Sequence, residues 1–144
     1  MPNSVIAGYE RNKRMLIIRT GRIGEPEVID TTVKSSTGIG RFFAPSWEIV
    51  GGHKRWAAER AGEQPPLWTL KYAAIDDEQY VAAYKQLLRV RWKQYAPELR
   101  NWLQGKSVVT LACYCSRGKF CHRDEAAKIL LQIAQSWGID AKIE

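Results

Sequence analysis

The eleven residues CYCSRGKFCHR, from Cys113 to Arg123, hold all three cysteines of the chain and one of its two histidines. Thiols, an imidazole and basic side chains in one short segment can support a reactive thiolate, a metal site or the binding of an anion. Three is an odd number of cysteines, which argues against a disulfide framework. This segment is therefore the first candidate for a functional site.

Two of the thiols lie where nucleophilic chemistry is possible. A cysteine that begins a helix beside cations can have its pKa lowered from about 8.5 to roughly 3.5–7.5. Cys121 fits that description, and Cys113 across the loop can be its neighbour. We interpret Cys113 and Cys121 as candidate catalytic thiols and His122 as the residue that handles protons. The alternative is that the cysteines are small buried apolar residues.

A metal site is a second interpretation of the same segment. Cys113, Cys115, Cys121 and His122 supply four ligands of the types that zinc prefers. The spacing is unusual, because an adjacent Cys-His pair rarely closes around one tetrahedral ion. A small zinc-stabilised domain is therefore an alternative, and the sequence identifies no cofactor beyond it.

Anion binding is the third interpretation. The first N–H groups of a helix have no helical partner and favour negative charge. Lys119 and Arg123 add cations, which predicts a site for a phosphate-bearing, nucleotide-like ligand. Asp124 and Glu125 can satisfy the same N–H groups instead, so a solvated basic turn is the alternative.

A glycine-rich loop, STGIGR, follows a predicted strand and ends at Arg41. The backbone N–H groups of Gly38 and Gly40 can contact phosphate, and Arg41 can hold the anion. The loop lacks a complete nucleotide-binding pattern, so a flexible turn is the alternative. Asp30, near the end of that strand, can serve as an acid, a base or a hydrogen-bond partner. If the two strands are neighbours, we expect this loop and the cysteine loop to share one rim.

The overall composition is that of one ordinary domain spanning residues 1–144. The net charge is +7, from 22 basic and 15 acidic residues, which predicts an anionic partner, either a small molecule or nucleic acid. No apolar run is long enough to span a membrane, and the first residues lack the apolar centre of a secretion signal. We expect a cytoplasmic protein with reduced thiols; its oligomeric state is not predictable.

The elements that must position these residues alternate between strand and helix, which predicts an α/β fold with a small, mainly parallel sheet flanked by helices. Ser46 and Asp76 are candidate helix N-caps, the second with Gln79 in a capping box. Pro97 is expected to end the long helix or begin a shorter one. The expected strands are residues 14–20, 27–33, 107–113 and an edge strand at 139–143; the expected helices are 47–62, 76–97, a short one to 102, and 124–138.

A basic ridge is predicted on the long helix, where Lys85, Arg89 and Lys93 lie four residues apart. Such a ridge is usually a solvated face. With Trp47, Trp56 or Trp68 stacking on bases, it can also bind nucleic acid. A non-enzymatic module associated with nucleic acid is therefore an alternative to a ligand-processing domain.

The segment LACYCSRGKFCHRDEAAKIL resembles the signature of the family catalogued as domain of unknown function four-eight-eight. VIDTTVKSSTGIGRFFAPSWEIVGGHK and IDDEQYVAAYKQLL resemble earlier parts of that family, so the similarity runs from about Val28 to Leu130. The stretch ERAGEQPPLWTLKYAA is longer than usual for the family. The resemblance implies a compact α/β fold in bacterial or phage proteins with a pocket that carries the motif, and no established activity. It points to Cys113, Cys121, His122 and Arg123.

Overall fold

The structure, a computed structural model, describes residues 15–115 and 120–144. The described strands are β1 (Leu16–Arg22), β2 (Val28–Asp30), β3 (Val108–Cys113) and β4 (Ala141–Ile143). The described helices are α1 (Gly40–Phe43), α2 (Trp47–Arg60), a 3-10 turn (Leu67–Thr69), α3 (Asp77–Leu103) and α4 (His122–Ser136).

The four described strands form one sheet in the order β2-β3-β1-β4, and every pair is parallel. The prediction of an α/β fold with a parallel sheet is confirmed. β3 is a central strand, and Val109, Leu111 and Ala112 are buried in it. β4 lies at an edge, as its alternating sequence predicted, although it is shorter than expected.

The chain divides into two compact units. The first contains the sheet, α4 and the last five residues of α3; the second contains residues 31–98. In the first unit, α4 packs on β1, β3 and β4. Leu130 and Ala127 of α4 are buried there together with Leu16 and Ile18 of β1, which makes this packing the core that holds the sheet in place.

The second strand is shorter than predicted, because it ends at Asp30 instead of residue 33. The Thr32 hydroxyl accepts a hydrogen bond from the backbone N–H of Ser35 at 3.0 Å. The N–H of Ser36 donates to the carbonyl of Thr32 at 3.2 Å. This turn offers the backbone an alternative to strand pairing, which β-branched composition alone does not reveal.

Helix α2 forms where it was predicted, capped by a bond from the Ile49 N–H to the Ser46 hydroxyl at 3.1 Å. Gly51 and Gly52 do not interrupt it, because both are packing positions. A Cβ on Gly51 would overlap the ring of Tyr72, and one on Gly52 would overlap the carbonyl oxygen of Ala73. The glycines therefore allow the following loop to approach the helix closely.

Helix α3 begins with the predicted capping box: the Asp76 N–H donates to Gln79 Oε1 and the Gln79 N–H donates to Asp76 Oδ1, each at 2.8 Å. The predicted break at Pro97 is wrong, because the helix continues to Leu103. Proline in a helix interior costs about 3 kcal/mol. Full burial of Leu99 and near-full burial of Leu103 offset that cost beyond the proline.

Helix α4 ends with the predicted glycine. Gly138 has a φ of 76°, its N–H donates to the carbonyl of Gln135, and the N–H of Ile139 donates to the carbonyl of Ala134. This pair of bonds is a Schellman motif, which turns the chain toward β4. Within the described residues, none of the helices is both long and apolar enough to cross a bilayer.

Candidate functional site

The candidate site lies at the carboxyl edge of the sheet, in the first unit. Here Cys113 ends the central strand β3, directly opposite Arg22 at the end of β1. Asp30, half-buried at the end of β2, is paired with Ala112, one residue before Cys113. Parallel sheets bind ligands at this edge, where the strands pass into helices. The topology thus brings the predicted Asp30 to the same edge as the thiols.

All three cysteines converge at this edge as free thiols. Their sulfur atoms lie within 4.8 Å of one another. Cys113 Sγ and Cys121 Sγ are 2.7 Å apart, and both residues are buried. Cys115 is exposed, and its backbone N–H donates to Cys113 Sγ at 3.4 Å. The cluster therefore consists of a buried pair and one thiol that solvent can reach.

Arg123 is only 3% exposed and fixes the geometry of this edge. Its Nη1 donates to the carbonyl oxygens of Gly21 and Cys115, each at 2.9 Å. The same nitrogen lies 3.4 Å from Cys113 Sγ. One guanidinium thus connects β1, the end of β3 and the turn after it. Anion binding by Arg123 remains a prediction, whereas its role in holding the thiols together is visible.

The three thiols titrate as one group because their hydrogen bonds connect them. The bonds from Cys113 and Cys121, followed by the charges of Arg123 and His122, lower the pKa of the Cys115 thiol. The bonds to Cys113 and Cys115, together with burial, raise the pKa of Cys121. The bond to Cys115 is the largest cause of a raised pKa at Cys113. These directions favour negative charge on the exposed sulfur over the buried pair.

His122 is buried in the first turn of α4, with Nδ1 3.7 Å from Cys121 Sγ. A role for His122 in handling protons remains a prediction. The group of possible metal ligands among the described residues contains the three cysteines and does not include His122. A metal site of these residues would thus have three thiolate ligands, with the fourth position filled from elsewhere.

The glycine-rich loop belongs to the second unit. Gly38 has a φ of 56°, which glycine adopts readily, and Gly40 begins α1. Arg41 is exposed. The backbone carbonyls of Arg41, Phe42 and Ala44 accept hydrogen bonds from Arg91 Nη1, so α1 has its last carbonyls capped by a side chain of α3. Phosphate binding at this loop, and a rim shared with the thiols, remain predictions.

Lys85, Arg89 and Lys93 of the basic ridge are all exposed, and a solvated face and a nucleic-acid contact both remain predictions for it. Trp47 and Trp68 keep 46% and 41% of their surfaces exposed, and their rings meet edge to face at 5.7 Å. Lys119 lies outside the described residues.

Two residues of the edge were not predicted from the sequence. Gly21 supplies the carbonyl that anchors Arg123, and a Cβ there would overlap Glu25 Oε1 and meet Thr110 Cγ2 at 3.0 Å. Arg22 is exposed beside Cys113 in the parallel register. The register of β1 against β3 would have revealed both, but strand pairing cannot be obtained from one sequence without the fold.

Comparison of the chain with protein-family models, with curated proteins and with solved structures finds no match.

Proposed function

We propose that the protein contains a dithiol redox centre, which exchanges two electrons with a disulfide substrate. The observation that supports this most strongly is the 2.7 Å separation of Cys113 Sγ and Cys121 Sγ beside the exposed thiol of Cys115. Two sulfurs at this separation need only a small movement to reach the ~2.05 Å of an S–S bond. The third thiol gives the buried pair a route to substrate.

The reaction would proceed by thiol–disulfide exchange. The Cys115 thiolate attacks one sulfur of the substrate disulfide, forms a mixed disulfide and expels the other half as a thiolate, which takes up a proton. Cys121 gives its proton to this first departing half, and the Cys121 thiolate then attacks Cys115 Sγ and releases the second half, which takes its proton from Cys113. The Cys113 thiolate attacks Cys121 Sγ, which breaks the bond between Cys121 and Cys115, forms the disulfide of the buried pair and returns Cys115 to its reduced form. In total, two protein thiols give two electrons and two protons to one disulfide, which leaves as two thiols.

The charges around the edge favour a small anionic disulfide as substrate. Arg22 is exposed next to Cys113, and the net charge of +7 attracts anions toward the protein. The carboxylates of a peptide disulfide would meet this cation while its sulfurs approach Cys115. Oxidised glutathione is a suitable probe, because it combines both features.

The test is to mix the fully reduced protein with oxidised glutathione, alkylate the remaining thiols and map the modified peptides. We expect a disulfide between Cys113 and Cys121, with Cys115 still alkylated. In Cys115→Ser the buried pair should oxidise at least about 10-fold more slowly. Tyr114→Phe, a change at the exposed neighbour, should react like the native protein.

Two results would contradict the proposal. If all three cysteines of the native protein could still be alkylated after long exposure to the probe, the centre would not be redox active. If Cys115→Ser oxidised at the native rate, the exposed thiol would not be the entry point.

A phosphate-bearing ligand at the same edge is a second candidate, favoured by the exposed Arg22 opposite Cys113. Titration with a nucleoside phosphate, followed by calorimetry, tests it. Binding that falls about 10-fold in Arg22→Ala supports this candidate; binding that is absent, or unchanged in the variant, discards it.

A further inference from the structure

The three sulfur atoms also form a set of soft metal ligands. In a tetrahedral zinc site with Zn–S bonds of about 2.3 Å, neighbouring sulfurs are about 3.8 Å apart. The sulfurs of Cys113, Cys115 and Cys121 lie within 4.8 Å of one another, and Cys113 Sγ is 2.7 Å from Cys121 Sγ. The separation of about 3.8 Å lies between these two distances. Small side-chain movements would therefore bring the sulfurs to the spacing of such a site.

We infer that Cys113, Cys115 and Cys121 together bind one thiophilic divalent cation of the zinc class. This inference goes beyond the proposed function in naming a ligand, and it rests on that function only for its regulatory consequence. Hard cations such as Mg²⁺ and Ca²⁺ take oxygen ligands and do not suit three sulfurs.

The ion, its three thiolate ligands and the buried guanidinium of Arg123 would together be neutral. Three thiolates and one divalent cation carry a net charge of −1, and the guanidinium of Arg123 brings the sum to zero. Arg123 is 3% exposed, and Nη1 lies 3.4 Å from Cys113 Sγ. A buried charge is costly unless it is compensated, so a neutral total suits this edge.

The groups around the ligands are those that orient thiolates in metal sites. The N–H of Cys115 and the guanidinium of Arg123 both donate to Cys113 Sγ at 3.4 Å. Arg123 also holds the Cys115 carbonyl at 2.9 Å, which fixes the turn that carries the exposed ligand. Such outer donors position the ligands and moderate their charge.

Regular secondary structure fixes the positions of two of the three ligands. Cys113 is the last residue of β3, and Cys121 is the N-cap of α4. Cys115 is exposed, so water or a small anion can take the fourth position from that side. Sites with three protein ligands and one open position are typical of zinc that participates in chemistry, whereas structural zinc has four protein ligands.

The consequence for the redox centre is competition between the cation and oxidation. A disulfide substrate that oxidises the cluster releases the ion: three coordinated thiolates, the cation and one disulfide give a protein disulfide, one free protein thiolate, the free cation and two substrate thiolates. The charge is −1 on each side. The ion would thus protect the thiols until a disulfide substrate displaces it.

The test uses the reduced, chelator-treated protein titrated with Co²⁺ and, in competition with a chromophoric chelator, with Zn²⁺. We expect one ion per chain and an intense near-ultraviolet band from sulfur-to-cobalt charge transfer. Cys115→Ser, a change at an exposed position, should weaken binding by about 100-fold or more. Tyr114→Phe should bind like the native protein, and circular dichroism should show both variants folded.

The inference is overturned if the folded native protein gives no charge-transfer band, or if Cys115→Ser binds as tightly as the native chain. Its failure is separable from failure of the proposed function. A protein that binds the ion without forming the Cys113–Cys121 bond loses only the redox proposal, and a protein that forms the bond without binding the ion loses only this one.

Discussion

At the scale of single residues, Arg123 has the largest influence on the geometry of the candidate site. Its place in the sequence, opening a helix after a basic loop, predicts a cation available for a ligand. In the structure it is buried, and its Nη1 donates to two carbonyls and contacts a thiol. Those acceptors come from residues far apart in the chain, so its role depends on the fold. The side chain therefore supports the geometry of the thiols directly.

Replacing this guanidinium should lower stability even when the positive charge is kept. In Arg123→Lys, a single ammonium cannot reach the Gly21 and Cys115 carbonyls and Cys113 Sγ together. Buried acceptors without a donor cost about 1–3 kcal/mol, and we expect the free energy of unfolding to fall by that amount. Urea denaturation measures it. Arg22→Lys, at an exposed position, should change stability by less than about 0.5 kcal/mol; equal effects would contradict this role for Arg123.

At the scale of elements, the caps of the helices were read correctly from the sequence, because each cap is formed by residues close together in the chain. The capping box at Asp76, the cap at Ser46 and the glycine after α4 all join residues close in sequence. The predicted end of β2 was wrong because a turn at Thr32 replaces strand pairing, and the predicted break at Pro97 was wrong because burial of Leu99 and Leu103 stabilises the helix beyond the proline. The metal interpretation of the sequence already grouped Cys115 with Cys113 and Cys121, but the separation of their sulfurs depends on the path of the turn and could not be obtained from the sequence.

Helix α2 provides a test of the packing role of its glycines. Alanine in a helix interior is intrinsically about 1 kcal/mol more favourable than glycine. In Gly51→Ala, however, the added methyl would overlap the ring of Tyr72. Overpacking costs about 1–3 kcal/mol, so we expect a net decrease in the free energy of unfolding.

The matched control is Ala57→Gly at an exposed position of the same helix, which should lose only the propensity of about 1 kcal/mol. Thermal or urea unfolding measures both variants. An increase in stability on introducing Gly51→Ala would show that the ring and the helix do not pack as closely as described.

At the scale of the whole molecule, the chain has a parallel sheet in one compact unit and a helical second unit. The thiol cluster lies in the first, and the exposed basic ridge lies in the second. The net charge of +7 belongs to the molecule as a whole, and it predicts attraction to polyanions without naming a site. The single domain and the cytoplasmic location expected from the sequence remain predictions.

We expect weak association with single-stranded DNA at low salt, and its decline with rising salt should be steep, because binding to phosphates releases counterions. Replacing Lys85, Arg89 and Lys93 by alanine should reduce the slope of log affinity against log salt by about 0.7 for each phosphate that the ridge neutralises in the native protein. Fluorescence anisotropy over a salt series measures both proteins. Identical slopes would show that the ridge does not bind phosphate. Cys115→Ser should leave the slope unchanged.

The absence of a side chain at Gly21 has a consequence for mutational scanning. Its carbonyl is bonded to a guanidinium 102 positions later in the chain, and the space where a Cβ would lie is filled by Glu25 and Thr110. Any larger residue there would displace the anchor of Arg123 and disturb the sulfurs beyond it. A scan that scores thiol reactivity should therefore find a sensitive position in the first strand, remote from every cysteine in sequence.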